Sequence, residues 1–212
     1  MSLFWVLVVV GSIGFGCLGD GMKKTKAEER DVVSVMTFNT GDLSGHPRPS
    51  TETIVRAIEA ESVPDVLLLQ EIYGEKQAGA LARALGRDHF VFSFYTGQSN
   101  GVAILSSYPL ENSDTLYFAG SPLGYGAIAA DIRVGGQVVT VVSSHMDSVY
   151  LDKEKRGKVV ADGQVKVSLD AAMSPRIDYL FYGPGLACRS SRIGRHSAGD
   201  HYPVLAEFEA KD

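Results

Sequence analysis

The stretch DVLLLQE, from Asp65 to Glu71, decides the fold of this chain. Its uninterrupted apolar run is typical of a central strand that is buried on both faces. Because Gln70 and Glu71 end the run, we expect the C-terminal end of this strand to open on a site. The earlier stretch DVVSVMTFN, Asp31 to Asn39, is rich in β-branched residues and also ends in a polar side chain, so it predicts another buried strand.

Helical patterns follow both predicted strands. PSTETIVRAIEAE, Pro49 to Glu61, places its apolar residues on one helical face and offers Ser50 or Thr51 as an N-cap. EKQAGALARALG, Glu75 to Gly86, turns leucines and alanines inward and ends in a glycine suited to a helix C-terminus. Strand and helix therefore alternate in this part of the chain.

Short runs separated by turns follow, and they predict antiparallel strands: HFVFSFY, GVAILSS, TLYFAG, GAIAADIRV and QVVTVVSSH. Gly135 and Gly136 lie between the last two runs, which is a signal for a tight hairpin. Two strand-helix units followed by several antiparallel strands predict an α+β fold, a sheet sandwich flanked by helices.

Composition predicts one folded domain held together by packing. The chain has 212 residues, of which 45% are apolar, a formal charge of −5, and a pI near 5.5. This acidic balance argues against a protein that coats nucleic acid through its overall field. Two cysteines, Cys17 and Cys188, exclude a disulfide framework and a four-thiolate zinc site.

The first segment differs from the rest because Ser2 to Gly19 carries no charge. Its short apolar core is typical of an export signal, and GFGC, ending at Cys17, is similar to a degenerate lipobox whose cysteine would be lipidated. Three lysines follow the apolar run instead of preceding it, an arrangement that also fits an uncleaved anchor.

We therefore expect residues 1–19 to form a signal, lipoprotein or anchor segment outside the fold, residues 20–31 a polar tether, and residues 32–212 the domain. The expected location is exported, either anchored to a membrane through Cys17 or secreted. An inner-membrane anchor with a cytoplasmic domain is the alternative.

Four of the apolar runs end in polar residues or lie next to them, and these residues are suited to binding a hard cation or a phosphate: Asn39, Glu71, His145 and the pair Asp200-His201. Amide and carboxylate oxygens are ligands that magnesium prefers. Histidines titrate near neutrality, so either one could move a proton or donate to a phosphoryl oxygen. A strand cap or a turn is the ordinary reading of each residue alone, and their joint occurrence favours a site.

Six motifs along the chain occur in an order that resembles the endonuclease/exonuclease/phosphatase family: MTFN (Met36 to Asn39), LLLQE (Leu67 to Glu71), NGVAILSSYPL (Asn100 to Leu110), SSHMD (Ser143 to Asp147), RIDYLF (Arg176 to Phe181) and GDHYPV (Gly199 to Val204). The family includes deoxyribonucleases, abasic-site endonucleases, sphingomyelinases and inositol polyphosphate phosphatases. The resemblance implies a four-layer α/β/β/α sandwich with metal and phosphate held at the strand ends of two facing sheets.

The resemblance also implies a role for each matching residue. Glu71 would be the main ligand of Mg²⁺, or of Mn²⁺, with Asn39 and Asp200 close to the metal. His201 would activate the attacking water or steady the phosphate, and Asp178 would accept its ring N–H.

Two further residues of the matching motifs would act on the substrate. His145 would contact the scissile phosphate from the other side, and Asn100 would support the site. The implied reaction is hydrolysis of a phosphodiester or a phosphomonoester by in-line attack of water.

One family motif, Gly-Asp-Phe-Asn, is missing between SSHMD and RIDYLF. The nearest candidate is GKVVADGQ, Gly157 to Gln164, in which Asp162 would be the catalytic aspartate that orients or deprotonates the nucleophile; a plain turn is the alternative. The short separation, Ser148 to Pro175, predicts a sandwich that is shortened between the strands of His145 and Asp178. A catalytically impaired relative that binds phosphate-containing ligands or a partner is therefore the alternative function.

The stretch CRSSRIGRHSAGDH is predicted as one loop with an arginine cluster, and Arg195 is its candidate for substrate binding. Such a cluster would attract a phosphate ester, although loop arginines are often only solvated. Nucleic acid, phospholipid and sugar phosphate all stay open as the substrate, membrane anchorage through the N-terminus is an expectation, and we expect a monomer.

Overall fold

The computed structural model describes residues 9–12, 31–41, 48–118, 124–145 and 178–211, with backbone alone for 9–12. Its elements in chain order are β1 (Val9–Ser12), β2 (Val32–Asn39), α1 (Thr51–Ala60), β3 (Val66–Ile72), α2 (Glu75–Ala84), β4 (His89–Phe94), β5 (Gly101–Ser106), β6 (Glu111–Tyr117), β7 (Gly126–Val134), β8 (Gln137–Ser144), β9 (Phe181–Tyr182), β10 (Leu186–Ile193) and β11 (Val204–Ala210).

A six-stranded sheet in the order β10-β11-β2-β3-β5-β4 forms the centre of the fold. The chain passes from β2 through α1 to β3, and these two strands are parallel, whereas the other neighbours in this sheet are antiparallel. Ser50 caps α1 by accepting a hydrogen bond from the Thr53 N–H (3.2 Å), as predicted. Gly86 follows α2 with a φ of 63°, which suits a glycine after a helix.

A second sheet of five strands, in the order β6-β7-β8-β1-β9, faces the first. Strands β7 and β8 form the predicted hairpin around Gly135 and Gly136, whose φ angles are 56° and 81°. Positive φ at both central residues is the conformation that a tight hairpin with right-handed twist requires.

Side chains of β3 alternate between two separate cores. Val66 and Leu68 point into the core between the sheets, while Leu67 and Leu69 point into the core under α1 and α2. This double burial explains why the stretch is apolar without interruption, and the predicted α+β sandwich is confirmed. One helical layer and both sheets lie within the described ranges, whereas the shortened region between the strands of His145 and Asp178 falls outside them.

The first part of the arginine-rich stretch, Cys188 to Ile193, is a strand and not the loop that the sequence predicted, whereas Gly194 to His201 form no strand. Leu186–Ile193 forms β10 and pairs with β11 along its length, with an irregularity between Cys188 and Ser190. β10 lies at the edge of the sheet, and several of its side chains are polar and exposed to solvent. The alternation of apolar and polar residues that predicts a strand is therefore weak in this stretch.

Strand β1 lies in the segment that the sequence predicts to be a signal, lipoprotein or anchor segment. Val9–Ser12 pairs antiparallel with β8 and parallel with β9, so it lies inside the second sheet. A β-branched run can fill such a gap between two strands. Export, cleavage and anchorage of this segment stay predictions. Among the described helices, neither has the length and apolar character that crossing a bilayer requires.

Replacing Val10 with Pro should destabilise the full-length protein, because proline cannot donate a hydrogen bond and β1 has a neighbour on each side. We expect Tm to fall by about 5 °C or more in thermal unfolding followed by circular dichroism. Val10→Thr keeps the backbone N–H and the β-branch, so it is the matched control. Equal Tm values for the two variants would show that β1 contributes nothing to the sheet.

Candidate active site

Glu71 leaves the regular pattern of β3 through a bulge. The pairing of β3 with β5 shifts between Gln70 and Ile72, and Glu71 has a φ of 60°. Strict alternation would place Glu71 on the helix side with Leu69. Instead its Oε1 accepts a hydrogen bond of 3.0 Å from Asn39 Nδ2. A left-handed conformation at a non-glycine residue costs roughly 1–3 kcal/mol and is typical of functional sites.

Two neighbours hold Glu71 in this position. The Glu71 N–H donates to the hydroxyl of Tyr95 (3.3 Å), and the carboxylate packs directly on Gly41, where a Cβ would overlap Oε2. The N–H of Gly41 also donates to Asn39 Oδ1 (2.9 Å). Glycine at position 41 is therefore a steric requirement of the buried carboxylate.

His201 is the centre of a hydrogen-bonded chain across the cleft. Its Nδ1 lies 2.8 Å from Asp178 Oδ2, and its Nε2 lies 3.4 Å from Asn39 Nδ2 and 3.8 Å from Asp200 Oδ1. With the ring proton on Nδ1 donated to Asp178, the Nε2 lone pair accepts from Asn39 Nδ2. Burial disfavours the imidazolium, but the hydrogen bond and the charge of Asp178, with Asp200 and Glu71, outweigh burial and raise the pKa of His201.

His145 does not titrate near neutrality, in contrast to the prediction from its residue type. Its ring is fully buried, and burial, aided by the charge on His201, lowers the pKa of His145 to about 3. The Nδ1 atom lies 3.0 Å from the Tyr95 hydroxyl, and Nε2 lies 3.8 Å from Glu71 Oε1. His145 therefore lies behind Glu71, and its contact with a phosphate stays a prediction.

Tyr95 is a site residue that the sequence reading missed. It is buried, and desolvation raises its pKa well above the ordinary value, so the phenol keeps its proton. Because its oxygen accepts from the Glu71 N–H, its own proton can be donated to His145 Nδ1. The ring of Tyr125 also packs on His145, with centroids 4.2 Å apart. Tyr95 ends the HFVFSFY run, where a tyrosine is indistinguishable from an ordinary strand residue.

Carboxylates accumulate in the cleft with little positive charge to balance them. Burial raises the pKa of Glu71, and the nearby charges of Asp200 and Asp178 act in the same direction, against the hydrogen bond from Asn39 and the charge on His201. Such an excess of desolvated oxygen donors fits a hard divalent cation. Within the described ranges, however, no three His, Cys, Asp or Glu side chains form a ready metal cluster, so the amide of Asn39 would have to contribute.

The other predicted site residues are Asn100, Arg195 and Asp162. Asn100 precedes β5, and its backbone carbonyl accepts from the Tyr95 N–H (3.0 Å). Arg195 has an exposed side chain and is held by its backbone, so its contact with substrate stays a prediction. Asp162 lies outside the described residues. Of the other arginines in the cluster, Arg189 pairs with Glu209 and Arg192 with Glu61.

Glu61 ties the end of α1 to the segment that leads into Asp200-His201. This buried carboxylate accepts hydrogen bonds from Arg192, from the backbone N–H groups of Arg195 and His196, and from His196 Nδ1. Burial alone would raise its pKa, but these donors together lower the pKa of Glu61 to about 2. The sequence reading placed Glu61 only at the end of a helix.

Comparison with known proteins gives one family match. A model of the Endonuclease/Exonuclease/phosphatase family matches residues 36–201, and a search of curated protein sequences finds no match.

Solved structures with a similar fold include an endonuclease/exonuclease/phosphatase from Beutenbergia cavernae DSM 12333, with a TM-score of 0.63 and 18% identity over 85% of this chain and 72% of that one. TDP2 from C. elegans has a TM-score of 0.62 and 17% identity over 84% and 75% of the two chains. D. rerio TDP2 complexed with a single-strand DNA product has a TM-score of 0.57 and 14% identity over 84% and 99%. At these identities the similarity shows the fold.

Replacing Glu61 with Gln should lower the free energy of unfolding at pH 7 by about 2–4 kcal/mol, because a buried acceptor of charged donors loses its charge. The wild-type advantage is fully present above the ordinary pKa of 4.5 and is lost as the pH falls towards 2. Urea unfolding at pH 7, 4 and 3 measures the difference. Glu59→Gln, at an exposed position of α1, should change little, and a pH-independent deficit in Glu61→Gln would contradict the assignment.

Replacing Asp178 with Asn should lower the pKa of His201 in metal-free protein, because the hydrogen bond to a charged acceptor is lost. A histidine NMR titration measures this pKa, with His201→Gln to identify the resonance. Asp114→Asn, at an exposed position of β6, is the control. An unchanged pKa in the Asp178 variant would show that the contact does not support the imidazolium.

Proposed function

Because the chain belongs to the endonuclease/exonuclease/phosphatase family, we propose that it is a divalent-metal-dependent phosphoesterase that hydrolyses a phosphodiester or a phosphomonoester by in-line attack of water. The observation that carries this proposal is the continuous set of hydrogen bonds from Asp178 through His201 and Asn39 to Glu71. It joins an acid-supported imidazole to a buried carboxylate, which are the two chemical elements that such hydrolysis needs.

His201 is the proposed proton acceptor for the attacking water. Its Nδ1 contacts Asp178 while Nε2 accepts from Asn39 Nδ2 over 3.4 Å. A water that replaces this amide contact would lose its proton to Nε2, and Asp178 and Asp200 would stabilise the imidazolium that forms. The raised pKa keeps the conjugate acid available to return the proton to the leaving oxygen. Asp178 is therefore a positioning residue that acts through His201.

Glu71, Asn39 and Asp200 are the residues that would hold Mg²⁺ or Mn²⁺. Their oxygen atoms match the ligand preference of these ions, and the excess of carboxylate charge favours a cation between them. A bound divalent ion would offset the charge that develops on the phosphoryl oxygens. His145 and Tyr95 support Glu71 from behind, because His145 lies beside its carboxylate and Tyr95 accepts from its N–H.

The proposed substrate is a phosphate ester, and its alcohol group can be a nucleoside, a lipid or a sugar. One structure with the same fold holds a single-strand DNA product, which is a reason to include DNA among the substrates that are tested. A catalytically impaired relative that binds such ligands is the second candidate, and the absence of a Gly-Asp-Phe-Asn motif from the sequence favours it. Loss of a positioned base typically costs about 10²–10⁴ in rate.

The test is hydrolysis of bis(p-nitrophenyl) phosphate and plasmid DNA by the full-length protein with Mg²⁺, Mn²⁺ or EDTA. We expect activity that requires the metal and falls at least about 100-fold in Glu71→Gln and in His201→Ala. Glu59→Gln should keep full activity because that side chain is exposed on α1. Metal-independent hydrolysis, or activity that survives both substitutions, would refute the proposed mechanism, and binding of substrate without turnover would support the second candidate.

A further inference from the structure

Residues 194–203 form the His201 loop, which connects β10 to β11, carries Asp200 and His201, and contains no strand. The N–H of Gly194 donates to the carbonyl of Pro203 (2.8 Å), so the two ends of the loop meet. The flanking strands therefore fix the ends of the loop, but they do not fix the backbone in between. Another contact has to set where His201 lies.

Glu61, at the end of α1, binds the His201 loop near its start. Its Oε1 accepts from the backbone N–H groups of Arg195 and His196, the latter over 2.8 Å, and lies 2.8 Å from His196 Nδ1. Successive backbone N–H groups around one oxygen form a concave site for an anion. Arg192 of β10 donates to Oε2. The carboxylate of Glu61 is thus the anion that the loop encloses.

Gly194 shows how closely the loop and this carboxylate pack. A Cβ at position 194 would lie 2.9 Å from Glu61 Cδ and 2.6 Å from Pro203 Cγ, which is closer than a Cβ can approach another atom. A glycine is therefore required where the loop leaves β10. The side chain of Glu61 is only 4% exposed, so protein donors and not water surround its carboxylate.

Ser197 continues the contacts from Glu61 towards His201. Its hydroxyl lies within hydrogen-bond distance of the carbonyls of Gly199 (2.8 Å) and His201, and it accepts from the Gly199 N–H (3.1 Å). The ring of His201 is held separately, because its Nδ1 lies 2.8 Å from Asp178 Oδ2. The backbone and the ring of His201 are therefore fixed by different partners.

We propose that Glu61 is a positioning residue of the phosphoesterase reaction, which holds the His201 loop so that the imidazole of His201 meets Asp178. This proposal rests on the proposed function and adds to it a residue outside the cleft. The ordinary interpretation of a buried carboxylate beside an arginine is an ion pair that contributes only to stability. Glu61, however, also binds two backbone N–H groups and a ring nitrogen of the loop itself.

A small displacement of the His201 loop is enough to impair the reaction. Misplacing a reacting group by about 1 Å can cost roughly 100-fold in rate. Without the carboxylate, the donors of Arg195 and His196 would bind water, and the loop would lose its attachment to α1. Because His201 acts on the attacking water, we expect Glu61 to affect kcat more than KM.

The experiment is chemical rescue of Glu61→Ala in the full-length protein, with bis(p-nitrophenyl) phosphate and saturating Mg²⁺. The substitution removes a CH₂–COO⁻ group, which acetate matches in size and charge. An open recess of about 360 Å³, lined in part by Glu61 and Arg192, gives a small anion access to the site. We expect kcat to fall at least about tenfold with little change in KM, and acetate to restore most of the loss. Acetamide, which is neutral, and NaCl at the same ionic strength should restore nothing.

Two further variants separate positioning from stability. Ile54→Ala removes a buried side chain of the same helix that does not belong to the site, so it should lower Tm and leave kcat unchanged at a temperature where the protein is folded. Gly194→Ala approaches Glu61 from the loop, and its added Cβ should displace the carboxylate and lower kcat as Glu61→Ala does. It carries the test if circular dichroism shows that Glu61→Ala is unfolded.

A second measurement is independent of activity. In metal-free protein, the ring NMR signals of His201, identified with His201→Gln, should shift in Glu61→Ala and return with acetate but not with acetamide. Wild-type protein without metal-dependent hydrolysis would remove the phosphoesterase function, whereas movement of these signals would still show that Glu61 positions the ring.

Three results would overturn the role of Glu61: a wild-type kcat in folded Glu61→Ala or Gly194→Ala, His201 signals that do not move in these variants, or a loss of kcat on which acetate and acetamide have the same effect. Each of them would leave Glu61 as a carboxylate that stabilises the fold alone.

Discussion

The left-handed backbone at Glu71 is the constraint on which the candidate site depends. Without the bulge in β3, the glutamate would follow Leu67 and Leu69 towards the helices, where a carboxylate has no polar partner in the apolar core. The bulge turns it to Asn39, and Gly41 leaves room for it. Rigid strands on both sides hold this conformation, since an isolated chain would not keep a strained glutamate. The strained backbone at Glu71 therefore sets the position of the proposed metal ligand.

Electrostatics in the cleft divides two histidines into different tasks. His201 gains a carboxylate partner and a raised pKa, while His145, buried beside Tyr95 and Glu71, stays neutral with a pKa of about 3. The residue type is the same, and the difference comes from the neighbours. Glu61 illustrates the same principle away from the cleft, because Arg192 of β10, with donors from Arg195 and His196, lowers its pKa to about 2 despite its burial. An acid at the end of α1 thus helps to define where the segment before Asp200-His201 lies.

The two sheets contribute unequally to the site. The six-stranded sheet brings Asn39, Glu71 and Tyr95, whereas the second sheet brings His145 through β8. Contact between Tyr95 and His145 therefore joins the sheets at the base of the cleft.

The sequence by itself determined the strands β2, β3, β4 and β5, both helices and the β7-β8 hairpin. Its motifs also indicated the family and, through that resemblance, the grouping of Asn39, Glu71, Asp178 and His201. These follow from local periodicity and from short motifs, which need no knowledge of distant contacts. Only the tertiary structure decided that Arg189 and Arg192 lie in a strand and are neutralised by glutamates, that His145 is buried, and that Tyr95 connects it to Glu71. Each of these features depends on a partner that is many residues away in the chain. Burial or pairing by that partner sets the pKa of a side chain or the register of a strand, and the neighbouring residues in the sequence carry no information about it.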